Sequence, residues 1–281
     1  MTEYVLTLSC PDRPGIVAAV AGLLAARGGN IVESQQFGDQ DTGRFFMRVQ
    51  FTVPGPGAQG LREALAGLAA ELQLDWGLWD AAVPPRVLIL VSKAGHCLND
   101  LLHRQRSGQL GIEIAAVASN HPDLRPLTQT YGIDYHHLPV TSGTRAWQEG
   151  ELLTLVGHYR VDFVVLARYM QVLSDDWCAR LAGRVINIHH SFLPGFKGAR
   201  PYQQAYARGV KLIGATAHYV TSDLDDGPII EQEVARVDHA QGPSELMAVG
   251  RDAECVALAR AVRWHAAHRV LLNGDKTVVF R

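Results

Sequence analysis

The apolar positions of this chain change period along its length, and each change marks an element. Residues 4–10, YVLTLSC, read as a strand, and Pro11-Asp12-Arg13-Pro14-Gly15 is a turn dense in breakers. The next stretch, IVAAVAGLLAARGG, has helical spacing and stops at Gly28-Gly29, as a helix C-terminus would. NIVESQQFG and RFFMRVQF read as strands flanking a turn at 39–43. Residues 58–72, AQGLREALAGLAAEL, read as an amphipathic helix, and LDWGLWDAAV as a last strand. This β-α-β-β-α-β order is a ferredoxin-like split βαβ. Pro84-Pro85 then stops either neighbour from running on. The expected domains are 1–84 and 85–281.

From residue 86 the pattern changes class. RVLILVS is nearly continuously apolar, which suits a strand covered on both faces. Helices are expected over 96–108, 121–132, 145–158 and 174–183, the last with Ser174 as N-cap. Strands are expected over 112–120, 133–140, 161–168, 185–189, 212–220 and 228–237. The alternation predicts an α/β, doubly wound, mostly parallel sheet, whose ligands bind beyond the carboxyl ends of the strands. The strand end at 187–189 and the loops after 166 and 220 are expected there. A helix from Pro201, a long helix over 243–266 and a hairpin about Asn273-Gly274 complete the chain.

Composition narrows the function. With 47% hydrophobic and 19% charged residues the chain can bury a real core, and a net charge of -2 argues against a nucleic-acid partner. No apolar run approaches the length of a membrane span, and the start does not read as a leader. The four cysteines form no CxxC and read as reduced thiols, so a cytoplasmic location is expected.

Most catalytic signatures are missing. There is no GxSxG around Ser191, no HExxH, no Cys/His ligand spacing, no GxGxxG and no GxxxxGK[ST]. Adjacent strand residues point to opposite faces, so His136-His137 and His189-His190 are not expected to act as pairs. A metal set of His189, His218 and Asp225 is conceivable but has no motif behind it. Asn187, His189 and Asp225 remain. Asn187 and His189 share a strand face about 6–7 Å apart. An amide and an imidazolium can both donate to a carbonyl oxygen as negative charge develops on it, and a carboxylate can support the imidazolium and a water. On spacing alone, this reading and a purely structural one stand even.

Two resemblances extend it. CPDRPGIVAAVAGLLAARGGNI resembles the opening of an ACT domain, through the turn at Asp12–Ile16 and the strand entry at Gly29-Asn30-Ile31. That implies an amino-acid effector such as glycine or methionine near Gly15 and Asn30, or an assembly role alone, and a homo-oligomer in either case. Residues 187–220 with LDDGPII are similar to the core of the folate-dependent formyltransferases. The resemblance implies that Asn187, His189 and Asp225 (not Asp226) are catalytic. It also implies that Met170, Gln171, Val172 and Leu173 flank a pterin, with Asp225 beside it. Gln171 stands where the resemblance leads one to expect Arg, which weakens a charged contact to the folate.

Relatives that formylate a ribonucleotide amine carry a glycine-rich phosphate cradle after the first strand. Here that place reads Val91-Ser92-Lys93-Ala94-Gly95-His96-Cys97. With the ACT-like half, the whole chain resembles the formyltetrahydrofolate deformylase family. The resemblance implies hydrolysis of 10-formyltetrahydrofolate by water to tetrahydrofolate and formate, feeding purine biosynthesis, with no metal or other cofactor. Two other readings stay open. One is a formyltransferase with an amine acceptor, and the other a non-catalytic folate or amino-acid sensor.

Overall fold

The structure is a computed structural model that describes residues 1–55, 58–141, 143–193 and 201–281. It divides into two compact units.

The first unit is built on β1 (Thr2–Pro11), α1 (Ile16–Ala25), β2 (Asn30–Asp39), β3 (Arg44–Val53), α2 (Ala58–Leu72) and β4 (Asp75–Asp80). Its sheet has the order β2-β3-β1-β4, with every neighbour antiparallel. Ile16, Val20 and Leu24 of α1 and Leu61 and Leu65 of α2 recur at helical spacing, and they bury against Leu6, Leu8, Val49 and Phe51. α1 ends earlier than Gly28-Gly29. Leu24 O accepts from both Arg27 and Gly29, while Gly28 adopts φ +68, open to a residue without Cβ. β4 is shorter than expected because Asp80 turns the chain, its Oδ1 accepting from Ala82 N at 2.9 Å.

Residues 267–273 and 278–281 also belong to this unit, so the expectation that everything after residue 84 stays in one domain is corrected. The reason is a buried charge. Arg48 on β3 is 2% exposed. It reaches Glu33 at 2.7 Å and the carbonyl of Ala267 at 3.2 Å, and Arg269 closes on the same Glu33 carboxylate at 2.8 Å. Burial opposes the charge on Glu33, yet Arg269 and then Arg48 hold its carboxyl below the usual range. Asn273 on Asp39 and a His268 ring stacked on Trp79 at 3.9 Å fasten the tail further.

The second unit holds β5 (Arg86–Val91), α3 (His96–Arg106), β6 (Glu113–Ser119), α4 (Arg125–Gln129), β7 (Tyr135–His137), α5 (Arg145–His158), β8 (Phe163–Leu166), α6 (Asp175–Arg180), β9 (Val185–His189), α7 (Pro201–Arg208), β10 (Leu212–Tyr219), β11 (Ile229–Arg236) and α8 (Pro243–Ala266). The sheet order is β11-β10-β9-β8-β5-β6-β7. Strands β5 to β9 run parallel, β10 turns back antiparallel to β9, and β11 is antiparallel to β10 and so resumes the direction of β9. The fully buried run Val87–Val91 lies in an interior strand, β5, as its unbroken apolar character requires. α4 is one short turn, opened by Pro126 in its first turn where a missing N–H does no harm. β7 keeps three residues at the sheet edge, and Pro139 cannot extend its ladder. β12 (Val270–Asn273) and β13 (Lys276–Val279) pair around Asn273-Gly274. The loop between β9 and the helix from Pro201 carries Gly195 and Gly198, and both lie outside the described residues.

Glu33→Gln should cost about 1–3 kcal/mol, since it strips the buried Arg48 of its counter-charge. Urea unfolding of the full chain measures it, and an unchanged midpoint would show that this ion pair does not hold the tail.

Candidate active site

β9 and β10 bring the polar residues together. Their antiparallel register places Asn187 opposite His218 and His189 opposite Thr216, so all four share one face of the sheet. Thr216, fully buried, fixes the chain as it leaves β9. Its hydroxyl donates to Ser191 O at 2.9 Å and accepts from Leu193 N at 3.1 Å. Gln232 on β11 braces the same turn through Leu193 O at 3.0 Å.

The loop between β10 and β11 supplies the acid. Because β10 is antiparallel, this loop starts beside the amino end of β9, where Val220 N donates to Val185 O at 2.9 Å. The expectation that it opens at the carboxyl ends is corrected: it reaches the site by folding back. Asp225 takes a left-handed φ of 56° to do so. Its Oδ2 lies 3.1 Å from His189 Nδ1, and its Oδ1 lies 3.7 Å from His218 Nε2. Gly227 is required here, since a Cβ would sit 1.8 Å from the carbonyl of Tyr219. The hydrogen bond from His189 holds the Asp225 carboxyl well below the usual carboxylate range. Asp226 is exposed and does not line the cavity.

His218 is the residue that sequence reasoning named only as a conceivable metal ligand. Its Nδ1 donates to the carbonyl of Tyr219 at 2.9 Å, which leaves Nε2 to accept from Asn187 Nδ2 at 3.2 Å. The amide of Asn187 is thereby aimed, with a second N–H to spare. His189 is 5% exposed, and its Nε2 is buried with no hydrogen-bond partner among the described residues. A buried ring nitrogen without a partner, beside a fixed carboxylate, is what a polar ligand atom would complete. His190 contradicts the expectation of opposed faces. The strand ends at His189, alternation ends with it, and the two rings stack at 4.8 Å with 25° between planes. Burial, then the Arg168 charge, pushes His190 down to about 4, so it is a neutral ring against His189.

A cavity of about 690 Å³ opens over these groups. Met170, Gln171, Val172 and Leu173 all line it, as do Asn187, His189, His218 and Asp225. Their loop is clamped at both ends. Ser92 at the end of β5 accepts from Met170 N at 2.9 Å, and Ser174 caps α6 while Glu149 accepts from its N–H at 2.9 Å. Arg168, at φ 63°, makes the sharp exit from β8. Met170 and Val172 are 61% and 57% exposed, apolar faces offered to a flat ligand, while Leu173 is buried.

The two residues expected at an ACT ligand site are not brought together within one chain. Gly15 follows the Pro11 end of β1, where Arg44 pairs, whereas Asn30 pairs with Thr52 at the Thr2 end. The ten residues of β1 separate them.

Comparison with known proteins agrees with this architecture. Residues 85–262 match the family model described as Formyl transferase, and residues 4–69 match the ACT domain. The fold and its cavity thus place the chain among formyl-group enzymes that carry an amino-terminal ACT module. It is 53% identical to a formyltetrahydrofolate deformylase of Corynebacterium sp. (strain P-1), over 99% of this chain and 98% of that one. It superposes on the crystal structure of a formyltetrahydrofolate deformylase from Burkholderia mallei with a TM-score of 0.97, at 52% identity and covering 100% of both chains. Glycinamide ribonucleotide transformylase 1 from Symbiobacterium toebii is more distant, with a TM-score of 0.66, 29% identity, and coverage of 70% of this chain and 95% of that one. The chain belongs to the formyltetrahydrofolate deformylase family. No described helix is long and apolar enough to cross a membrane.

The depressed carboxyl of Asp225 has a pH consequence. Its folded value lies below the ordinary 3.8, so its stabilising contribution is complete above that value and is lost as pH falls through the folded one. The unfolding free-energy gap between this chain and Asp225→Asn should hold steady from about pH 7 to 5 and close on further acidification. Urea melts across that range read it, and a gap unchanged down to about pH 3 would contradict the linkage.

Proposed function

We propose that the chain hydrolyses 10-formyltetrahydrofolate to tetrahydrofolate and formate. The observation that carries this reading is the His189 imidazole, held by Asp225 through Nδ1 with Nε2 buried and unpartnered beside the Asn187 amide. The pterin lies against Met170, Gln171, Val172 and Leu173, which sets the formyl group over the β9 face. Asn187 Nδ2–H and His189 Nε2–H donate to the formyl oxygen, and more strongly as it becomes an oxyanion. Water adds to the formyl carbon, and its proton passes to Asp225 and on to the leaving N10. The C–N bond breaks and formate departs. An aspartate this acidic relays a proton rather than keeping it, while its charge supports the imidazolium of His189 throughout. His218 positions both Asn187 and Asp225. Formate released here is a one-carbon source for purine biosynthesis.

The first half adds a regulatory proposal. An amino acid such as glycine or methionine binds at Gly15 or Asn30, and because one chain separates them, a complete site draws one residue from each of two copies. β2 supports such pairing. It is the sheet edge and exposes Ile31, Val32 and Phe37. The full chain should then scatter light as a homo-oligomer, and its rate should respond to one of these amino acids. A monomer, or a flat response across the common amino acids, removes the effector site.

The decisive assay is formate release from 10-formyltetrahydrofolate in excess chelator, with and without glycinamide ribonucleotide. Hydrolysis should continue in chelator and ignore the amine. Loss restored by zinc, or formyl transfer outrunning hydrolysis, would overturn the reading. Asp225→Asn should lower turnover by about 10²–10⁴-fold while folate still binds, and Asn187→Ala by about 10²–10³-fold. Wild-type rates in either variant would remove that residue from the mechanism.

A further inference from the structure

Glu254 has no part in the chemistry above, yet it lines the same cavity and is 1% exposed. Three side chains from other parts of the fold converge on its carboxylate. His96 Nε2, from the first residue of α3, lies 2.7 Å from Oε2. Arg168 Nε, at the exit of β8, lies 3.4 Å from the same oxygen. Tyr202 on α7 donates its hydroxyl to Oε1 at 2.9 Å. Gly250, one turn before Glu254 on α8, makes room for that tyrosine, since a Cβ there would sit 2.1 Å from the Tyr202 hydroxyl. Burial opposes a charge on Glu254, but His96, Arg168 and Tyr202 outweigh it and keep the carboxyl below its usual range. This is a built anion site whose anion belongs to the chain.

Its place in the sheet says what that anion stands in for. β5 is flanked by β6 on one side and β8 on the other, so the carboxyl ends of β5 and β8 form the switch point of the doubly wound sheet. A helix N-terminus at such a point is where folds of this class receive phosphate. Here the helix is α3, of 11 residues, and its first side chain is turned onto Glu254. Arg168 is turned the same way, though its Nε is buried without an aligned hydrogen bond. A metal ion fits poorly. The donor atoms of His96, Cys97 and Glu254 do lie within 4.8 Å of one another, but the Arg168 cation already occupies the carboxylate. The Cys97 thiol, hydrogen-bonded with Cys255 and buried, is pushed up and stays protonated.

We propose that Glu254 is a specificity-determining residue, an internal anion that neutralises His96 and Arg168 and so bars phosphate-bearing amines from the formyl site, leaving water as the acceptor. The proposal rests on the hydrolytic reading. Its test is inorganic phosphate against chloride at matched ionic strength, with the full chain and Glu254→Gln, reading formate release and thermal unfolding together. The wild type should be indifferent to phosphate in both readouts. E254Q should be inhibited at a concentration at least about tenfold lower, the order of one charge-assisted hydrogen bond, and its melting temperature should rise with phosphate. Glu254→Asp keeps the buried charge but draws it back from both cations, which guards against misfolding; it should show the same gain to a smaller degree. Inhibition of the wild type at the variant's concentration, or variants that fold and respond as the wild type does, would overturn the proposal. Formate release by the wild type tests the hydrolase reading separately, because the thermal shift reports the anion site whether or not turnover is seen.

Discussion

The site depends on the register of β9 against β10. Antiparallel pairing puts Asn187 across from His218 and His189 across from Thr216. A slip of one residue would turn all of these side chains to the other face and leave an apolar patch in their place. β8 pairs on the other side of β9 with Leu166 against Asn187, so the sheet ends beside the amide and the cavity opens there. Thr216 and Gln232 then hold the chain that leaves His189, and the loop carrying Asp225 closes from above. The last parallel strand meets the first antiparallel one at this seam, and the polar face is built across it.

Charge organises the rest of the cavity. One carboxylate, Asp225, faces two imidazoles. A second, Glu254, faces a histidine and an arginine. Both rely on backbone that most residues avoid: Asp225 and Arg168 are each left-handed. Such conformations cost about 1–3 kcal/mol each and persist where packing over-determines them. The clamps at Ser92, Ser174 and Gly227 supply that over-determination.

Much of this was legible along the chain. Asn187 and His189 could be placed on one face because a strand repeats every two residues, and the apolar runs of β5 and β8 announce burial on both sides. Asp225 was legible as an acid in the turn after the strand, and resemblance to a family motif singled it out from Asp226, but the six residues after Tyr219 have no period that says where they fold. His218 shares the period-two signal of Asn187, but its partner is set by pairing between strands, which one sequence does not state. His190 was misread for the same kind of reason: alternation holds only while the strand lasts, and it ends at His189. The tail was misassigned because the attraction of Arg269 to Glu33 acts between residues 236 positions apart.

The sequence by itself determined the elements, the two-part order and the amide–imidazole pair. These follow from local periodicity, backbone sterics and residue chemistry, all of which act over a few positions. Only the tertiary structure decided that Asp225 reaches back over the β9 face, that His218 aims the amide, that Glu254 meets His96 and Arg168, and that Gly15 and Asn30 lie at opposite ends of a sheet. Each of these is a meeting of distant residues, fixed by strand register and packing rather than by any property of the residues alone.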